Sequence, residues 1–114
     1  MVSIAIPTYE MGIYGTKFME KSLEFISKQT YKNFEIVISD HSIDNKIQKL
    51  VESCESNFNI RYFKNADKIG NSSSNLNFAL RQCERKIVKI LFQDEFLYDK
   101  DALKKNCQFF RIKS

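Results

Sequence analysis

The sequence predicts an α/β fold, a Rossmann-like three-layer sandwich with a mostly parallel sheet in the strand order 3-2-1-4. Apolar, β-branched runs alternate four times with segments whose apolar residues recur at helical spacing. That alternation implies parallel strands joined by right-handed helical crossovers. Polar or acidic residues also close each apolar run, where such sheets bind ligands. With 114 residues, 43% hydrophobic and 28% charged, the chain has the size and composition of one globular domain.

The first strand is VSIAI (2–6), stopped by Pro7. A loop with Gly12 and Gly15 leads to a helix from about Thr16 to Gln29. Its apolar face is Met19, Leu23 and Ile26, widened by Phe18 and Phe25. FEIVIS (34–39) is the second strand, and a helix from about Asp44 aligns Ile47, Leu50, Val51 and Cys54. NIRYF (59–63) is the third strand, followed by a loop through Gly70. The serine run at 72–74 offers N-caps for a third helix with Leu76, Ala79, Leu80 and Cys83 on one face. KIVKILF (86–92) is the fourth strand, and a last helix begins near Asp101, with Leu103, Cys107 and Phe110 sharing a face. Repeats, low-complexity stretches and linkers are absent from the sequence.

Composition narrows the function. A net charge of +4 suits an anionic ligand without indicating nucleic acid. The basic cluster Arg81, Arg85, Lys86 and Lys89 is broken by Glu84 and by core-type residues, so it reads as a solvated helix end and strand entry. Cys54, Cys83 and Cys107 are expected to be buried free thiols of a reducing compartment. His41 is the only histidine, which argues against Cys–His catalysis. The sequence opens directly into a strand and holds no apolar run of membrane-spanning length. A cytoplasmic, soluble protein is expected, with peripheral membrane association left open.

The strand ends carry the chemistry. They are Pro7-Thr8-Tyr9-Glu10, Asp40-His41-Ser42, Gly70-Asn71 and Gln93-Asp94-Glu95. In the order 3-2-1-4 the first and fourth strands adjoin at the switch point, so Glu10, Asp40 and Asp94-Glu95 would share one crevice. Adjacent carboxylates repel unless a cation or proton lies between them, and oxygen ligands suit Mg²⁺ or Mn²⁺. Taken alone, LFQDEF (91–96) also reads as a plain strand-to-helix turn, and Asp40 as a turn former.

In their order, VSIAIPTYE, KQTYKNFEIVISDHSID, GNSSSNLNFAL and KILFQDEFL strongly resemble the N-terminal half of family 2 glycosyltransferases with the GT-A fold. The resemblance covers about residues 2–103 and implies an inverting enzyme that takes a nucleotide-diphosphate sugar, usually a UDP-sugar. It places Pro7, Thr8 and Glu10 in the loop that holds the nucleoside. Asp40 would accept the N3–H of the base while ionised, which suits a solvated strand end. Asn75 would reach the ribose or diphosphate, and Asn77 either follows it or caps local backbone. Asp94 would approach the ribose or sugar and, with Glu95, hold Mn²⁺ or Mg²⁺. Here the pair is Asp-Glu rather than Asp-Asp, and Phe92 stands where many members carry an earlier Asp. Glu is one methylene longer, so the ion would sit differently.

The implied acceptor is a saccharide or lipid-linked hydroxyl, in the setting of bacterial polysaccharide biosynthesis. In the family the general base follows the acidic motif in the second half of the domain. Asp99 and Asp101 are too close to the motif for that role and read as caps of the last helix. The chain is therefore expected to be a truncated nucleotide-sugar-binding domain, inactive alone, whose open sheet edge favours a homodimer. The alternative is a non-catalytic nucleotide-sugar-binding or association module. A receiver-like signalling domain fits worse, because no Asp directly follows NIRYF.

Overall fold

The computed structural model describes residues 2–10, 12–54, 59–66, 69–85, 87–92, 95–97, 100–105 and 111–112. The elements are β1 (Val2–Thr8), α1 (Tyr14–Ser27), β2 (Phe34–Asp40), α2 (Lys46–Cys54), β3 (Ile60–Lys64), α3 (Ser72–Gln82), β4 (Ile87–Ile90), α4 (Ala102–Lys105) and β5 (Arg111–Ile112). The sheet order is β3-β2-β1-β4-β5, with β1 to β4 parallel and β5 antiparallel to β4. The expected order and the mostly parallel sheet are both found.

Alternation along the strands builds the layers. Val2, Ile4, Ile6, Ile36 and Ile38 face one side and pack on Met19, Leu23 and Ile26 of α1 and Ile47 and Val51 of α2. Ala5, Val37 and Val88 face the other side and meet Ala79 and Cys83, at and just beyond the end of α3. Small residues on this second side let α3 lie close to the sheet.

Several boundaries differ from the sequence expectation. β1 runs through Pro7, which pairs with Ser39. A residue of a parallel strand presents its N–H and C=O to the same neighbour, and Ala5 O accepts Leu91 N on the β4 side. Pro7 faces that side too, just beyond the last β1–β4 pair, Ala5 with Ile90, so its missing N–H costs no ladder bond. α3 is capped by Asn71, whose side chain accepts Ser74 N, rather than by a serine of the run. The last helix is described over Ala102–Lys105, and β5 comprises Arg111–Ile112. Cys107 and Phe110, expected on that helix, lie outside the described residues. β5 lies against β4, so among the described strands β3 and β5 are the two edges of the sheet. Cys83 is buried, Cys54 is half-buried, and both are free thiols.

Candidate functional site

The register brings the predicted strand ends together. Thr8 pairs with Asp40 and Asp40 with Lys64, so β1, β2 and β3 end in one row. β4 lies on the other side of β1, its last pair being Ala5 with Ile90, and Glu95 stands in the loop that follows it. The chain order therefore reverses beside β1, at the position where α/β sheets open a crevice. Among the described residues, six of the seven exposed large hydrophobic side chains follow these strand ends. They are Tyr9, Ile13, Tyr14, Ile43, Ile69 and Phe92.

Glu10 faces inward. Its carboxylate accepts Gly15 N at 2.9 Å and Thr16 N at 3.2 Å, and also takes the Thr16 hydroxyl. α1 begins after Ile13, which offers no capping side chain, so Glu10 satisfies the first free amides of the helix and sits at the positive end of its dipole. This external cap explains why α1 starts at Tyr14 rather than Thr16. A Cβ on Gly15 would lie 2.5 Å from Tyr9 O, so only glycine lets the loop rest on the helix.

Asp40 is fully buried, not solvated as the sequence suggested. Its Oδ1 accepts Ser42 N at 2.9 Å, its Oδ2 accepts the Tyr62 hydroxyl, and Lys64 Nζ stands 3.8 Å from Oδ2. Burial, helped by the Asp40 carboxylate, pushes the Tyr62 phenol far above its ordinary range and keeps it a neutral donor. Lys64 also donates to Asp44 O, closing the β2–α2 loop over the β3 end. His41 is buried, and its N–H donates to Thr8 O at 3.0 Å.

Asn75 ties α3 to two strands. Its Oδ1 accepts the Ser39 hydroxyl at 2.6 Å, and its Nδ2 donates to Thr8 O at 3.2 Å. Thr8 is buried at the end of β1, Pro7 is half-buried beside it, and Asn77 is exposed on α3.

The loop after β4 is anchored to α1. The Phe96 ring packs 6.1 Å from Phe18 and 5.9 Å from Phe25. Gln29 donates to Leu97 O at 3.2 Å and accepts Leu103 N at 3.1 Å, which fixes both sides of the connection. Glu95 is exposed at the head of this loop, and its Oε1 accepts Phe92 N at 3.0 Å. Asp94 lies outside the described residues. Among the described residues no three His, Cys, Asp or Glu side chains form a metal-ligand group. An exposed carboxylate such as that of Glu95 still fits a Mg²⁺-type ion, which uses one or two carboxylates together with substrate phosphates.

Sequence reasoning missed Ser42, Tyr62 and Gln29 as organisers of this edge. Ser42 and Tyr62 lie within segments already singled out, but their contacts depend on register, which the sequence does not display.

A parallel sheet reversing its order beside β1, with polar side chains gathered at its carboxyl edge, defines an α/β ligand-binding domain. Comparison with known proteins makes the class specific. The profile described as "Glycosyl transferase family 2" matches residues 3–111, and the chain belongs to that family. It is similar to the GalNAc(5)-diNAcBac-PP-undecaprenol beta-1,3-glucosyltransferase of Campylobacter jejuni, at 26% identity over 97 residues, 84% of this chain and 30% of the relative. The S. aureus TarS 1-349 structure in complex with UDP-GlcNAc superposes with a TM-score of 0.78 and 26% identity, covering 94% of this chain and 30% of that one. The mannosyltransferase PcManGT of Pyrobaculum calidifontis, in complex with GDP-Man and Mn²⁺, shares the fold, with a TM-score of 0.76, 24% identity, and 95% and 31% coverage. The chain spans between 13 and 30% of the length of the curated relatives it matches.

Proposed function

We propose that this glycosyltransferase domain binds a nucleotide-diphosphate sugar, a UDP-sugar by preference, at the carboxyl edge of β1, β2 and β4. The observation that carries the reading is the registered pair of Thr8 and Asp40 at the carboxyl ends of β1 and β2, in a chain matched by the family profile over residues 3–111. The UDP-GlcNAc complex of TarS, 26% identical to this chain, supports a uridine donor.

In this reading Pro7, Thr8 and the loop to Glu10 hold the nucleoside, and Asp40 accepts from the base. Tyr62 and Lys64 close over Asp40, so the base reaches it by displacing one of them. Asn75 sets the height of the β1 end from beneath, and the exposed Tyr9 and Phe92 offer apolar surface to the ligand. Glu95, with Asp94, would hold Mn²⁺ or Mg²⁺. When bound, the ion offsets the charge that develops on the departing diphosphate. An acceptor hydroxyl, saccharide or lipid-linked, attacks the anomeric carbon with inversion as a carboxylate base removes its proton. That base and the acceptor site are proposed to lie outside these 114 residues, so this chain alone binds donor without transferring it. The proposed setting is cytoplasmic bacterial polysaccharide assembly. Among the described residues no helix is long and apolar enough to cross a membrane.

A non-catalytic binding module is the second reading, favoured by the internal engagement of Glu10, Asp40 and Asn75. Titration calorimetry with UDP, with and without Mn²⁺, tests the main reading. Mn²⁺-dependent heat is expected, weakened at least about tenfold in Asp40→Ala and in Glu95→Ala, the loss of one charged contact. Absence of heat with any nucleoside diphosphate would leave only the fold.

A further inference from the structure

Ser42 is buried and links Glu10, in the loop after β1, to Asp40, next to the His41 N–H bond to Thr8 O. Its Oγ accepts Glu10 N at 2.7 Å, and its own N–H donates to Asp40 Oδ1 at 2.9 Å. The loop after β1 is also held from the side of α1, by the Glu10 carboxylate on Gly15 and Thr16 and by the close approach of Tyr9 O to Gly15. Those contacts fix the loop against its own helix. The Ser42 hydroxyl ties the loop at Glu10 to the segment that follows β2.

We propose that Ser42 is a positioning residue that sets the loop after β1 at a fixed offset from the Asp40 carboxylate, and thereby sets discrimination between nucleobases. The inference rests on the nucleotide-sugar reading given above. A site that reads a base edge must hold its platform and its acceptor within a fraction of an ångström of each other. The Ser42 hydroxyl contributes to this at Glu10, because a serine lies in the turn that begins at Asp40 and its side chain reaches back to the neighbouring loop. Removing Oγ leaves the Glu10 N–H without its partner in a buried place and frees the loop to shift toward α1. The Asp40 contact, made by the Ser42 backbone, is retained. The expected loss therefore falls on the spacing between the two segments, not on either segment itself.

The test measures UDP and ADP affinity of the 114-residue chain in Mn²⁺ by calorimetry, together with thermal midpoints. Wild type, Ser42→Ala and Ser42→Thr are compared. Ser42→Ala is expected to weaken UDP about tenfold and to lower the UDP-to-ADP affinity ratio toward unity, the scale of one buried hydrogen bond. Ser42→Thr, which keeps the hydroxyl, restores the ratio even where its midpoint falls. A Ser42→Ala chain with a lower midpoint and an unchanged ratio overturns the proposal and makes Ser42 a packing residue only. A wild type that binds neither nucleotide overturns the nucleotide reading itself and this inference with it.

Discussion

Glu35 is almost wholly buried on β2, at the end of the sheet opposite the candidate site. Its Oε2 accepts the Ser3 hydroxyl and Glu84 N, and its Oε1 accepts Arg61 Nε at 3.2 Å. Arg61 reaches onward to Glu84 and to Gln82 O, so β1, β2, β3 and the end of α3 are joined through one carboxylate. Burial alone would raise the Glu35 pKa. The Ser3 hydroxyl, the Glu84 N–H and Arg61 outweigh it and hold the group below its ordinary 4.5. A depressed carboxylate stabilises the fold above its unfolded pKa, and that contribution disappears as pH falls through the folded pKa. Urea midpoints of the wild type should therefore hold from neutrality down to about pH 5 and then fall steeply. Glu35→Gln should be less stable at neutral pH and show a shallower acid limb, and an unchanged acid limb would remove Glu35 from the account. Residue types were legible from the sequence where a role is local, as with the apolar stripes. The burial of Asp40 was not legible because it depends on Tyr62 from another strand, nor was the capping by Glu10, whose partners are amides of α1.

At the scale of elements, helix ends show how the loops are set. α3 starts at Asn71, whose φ of −94° and ψ of 101° leave the helix while its side chain accepts Ser74 N at 2.9 Å. This cap fixes the register of the turn that brings Asn75 under Thr8. Asn71→Ala should cost about 1 kcal/mol and Asn71→Ser only a fraction of that, read from urea unfolding. Equal stability of the alanine and serine variants would show that the helix start is held by packing instead. The serine run offered three candidate caps by propensity, and the residue before it won, because the cap must be the last extended residue and Gly70, at φ 92°, has already turned the chain there. The alternation of elements was legible because each apolar period is long. β5 was not, since two residues carry no period and their pairing is non-local.

Over the whole molecule, the order β3-β2-β1-β4-β5 puts β2 and β1 in the middle, covered by α1 and α2 on one side and α3 on the other. All seven residues of β2 are buried, and in β1 only Pro7 is partly exposed. β3 is half-exposed along its length and lies at an edge, while β4 is only four residues long. The candidate site straddles this gradient. Thr8 and Asp40 end the best-buried strands, while Tyr62, Lys64 and Glu95 belong to the less buried periphery that closes over them. Local opening draws on segments with few buried contacts, so the periphery should open without the centre. Hydrogen exchange tests this directly. Amides of Ile4, Ile6, Ile36 and Ile38 should exchange only through global unfolding, whereas those of β3 and of Phe92 should exchange through smaller openings that respond weakly to urea. UDP binding should then slow β3 and the β4 loop selectively, since a ligand bound only by the closed form suppresses the openings that break its site. Protection gained uniformly over all strands would mean that the edge and the centre open as one unit, and that access to Asp40 is not governed by β3.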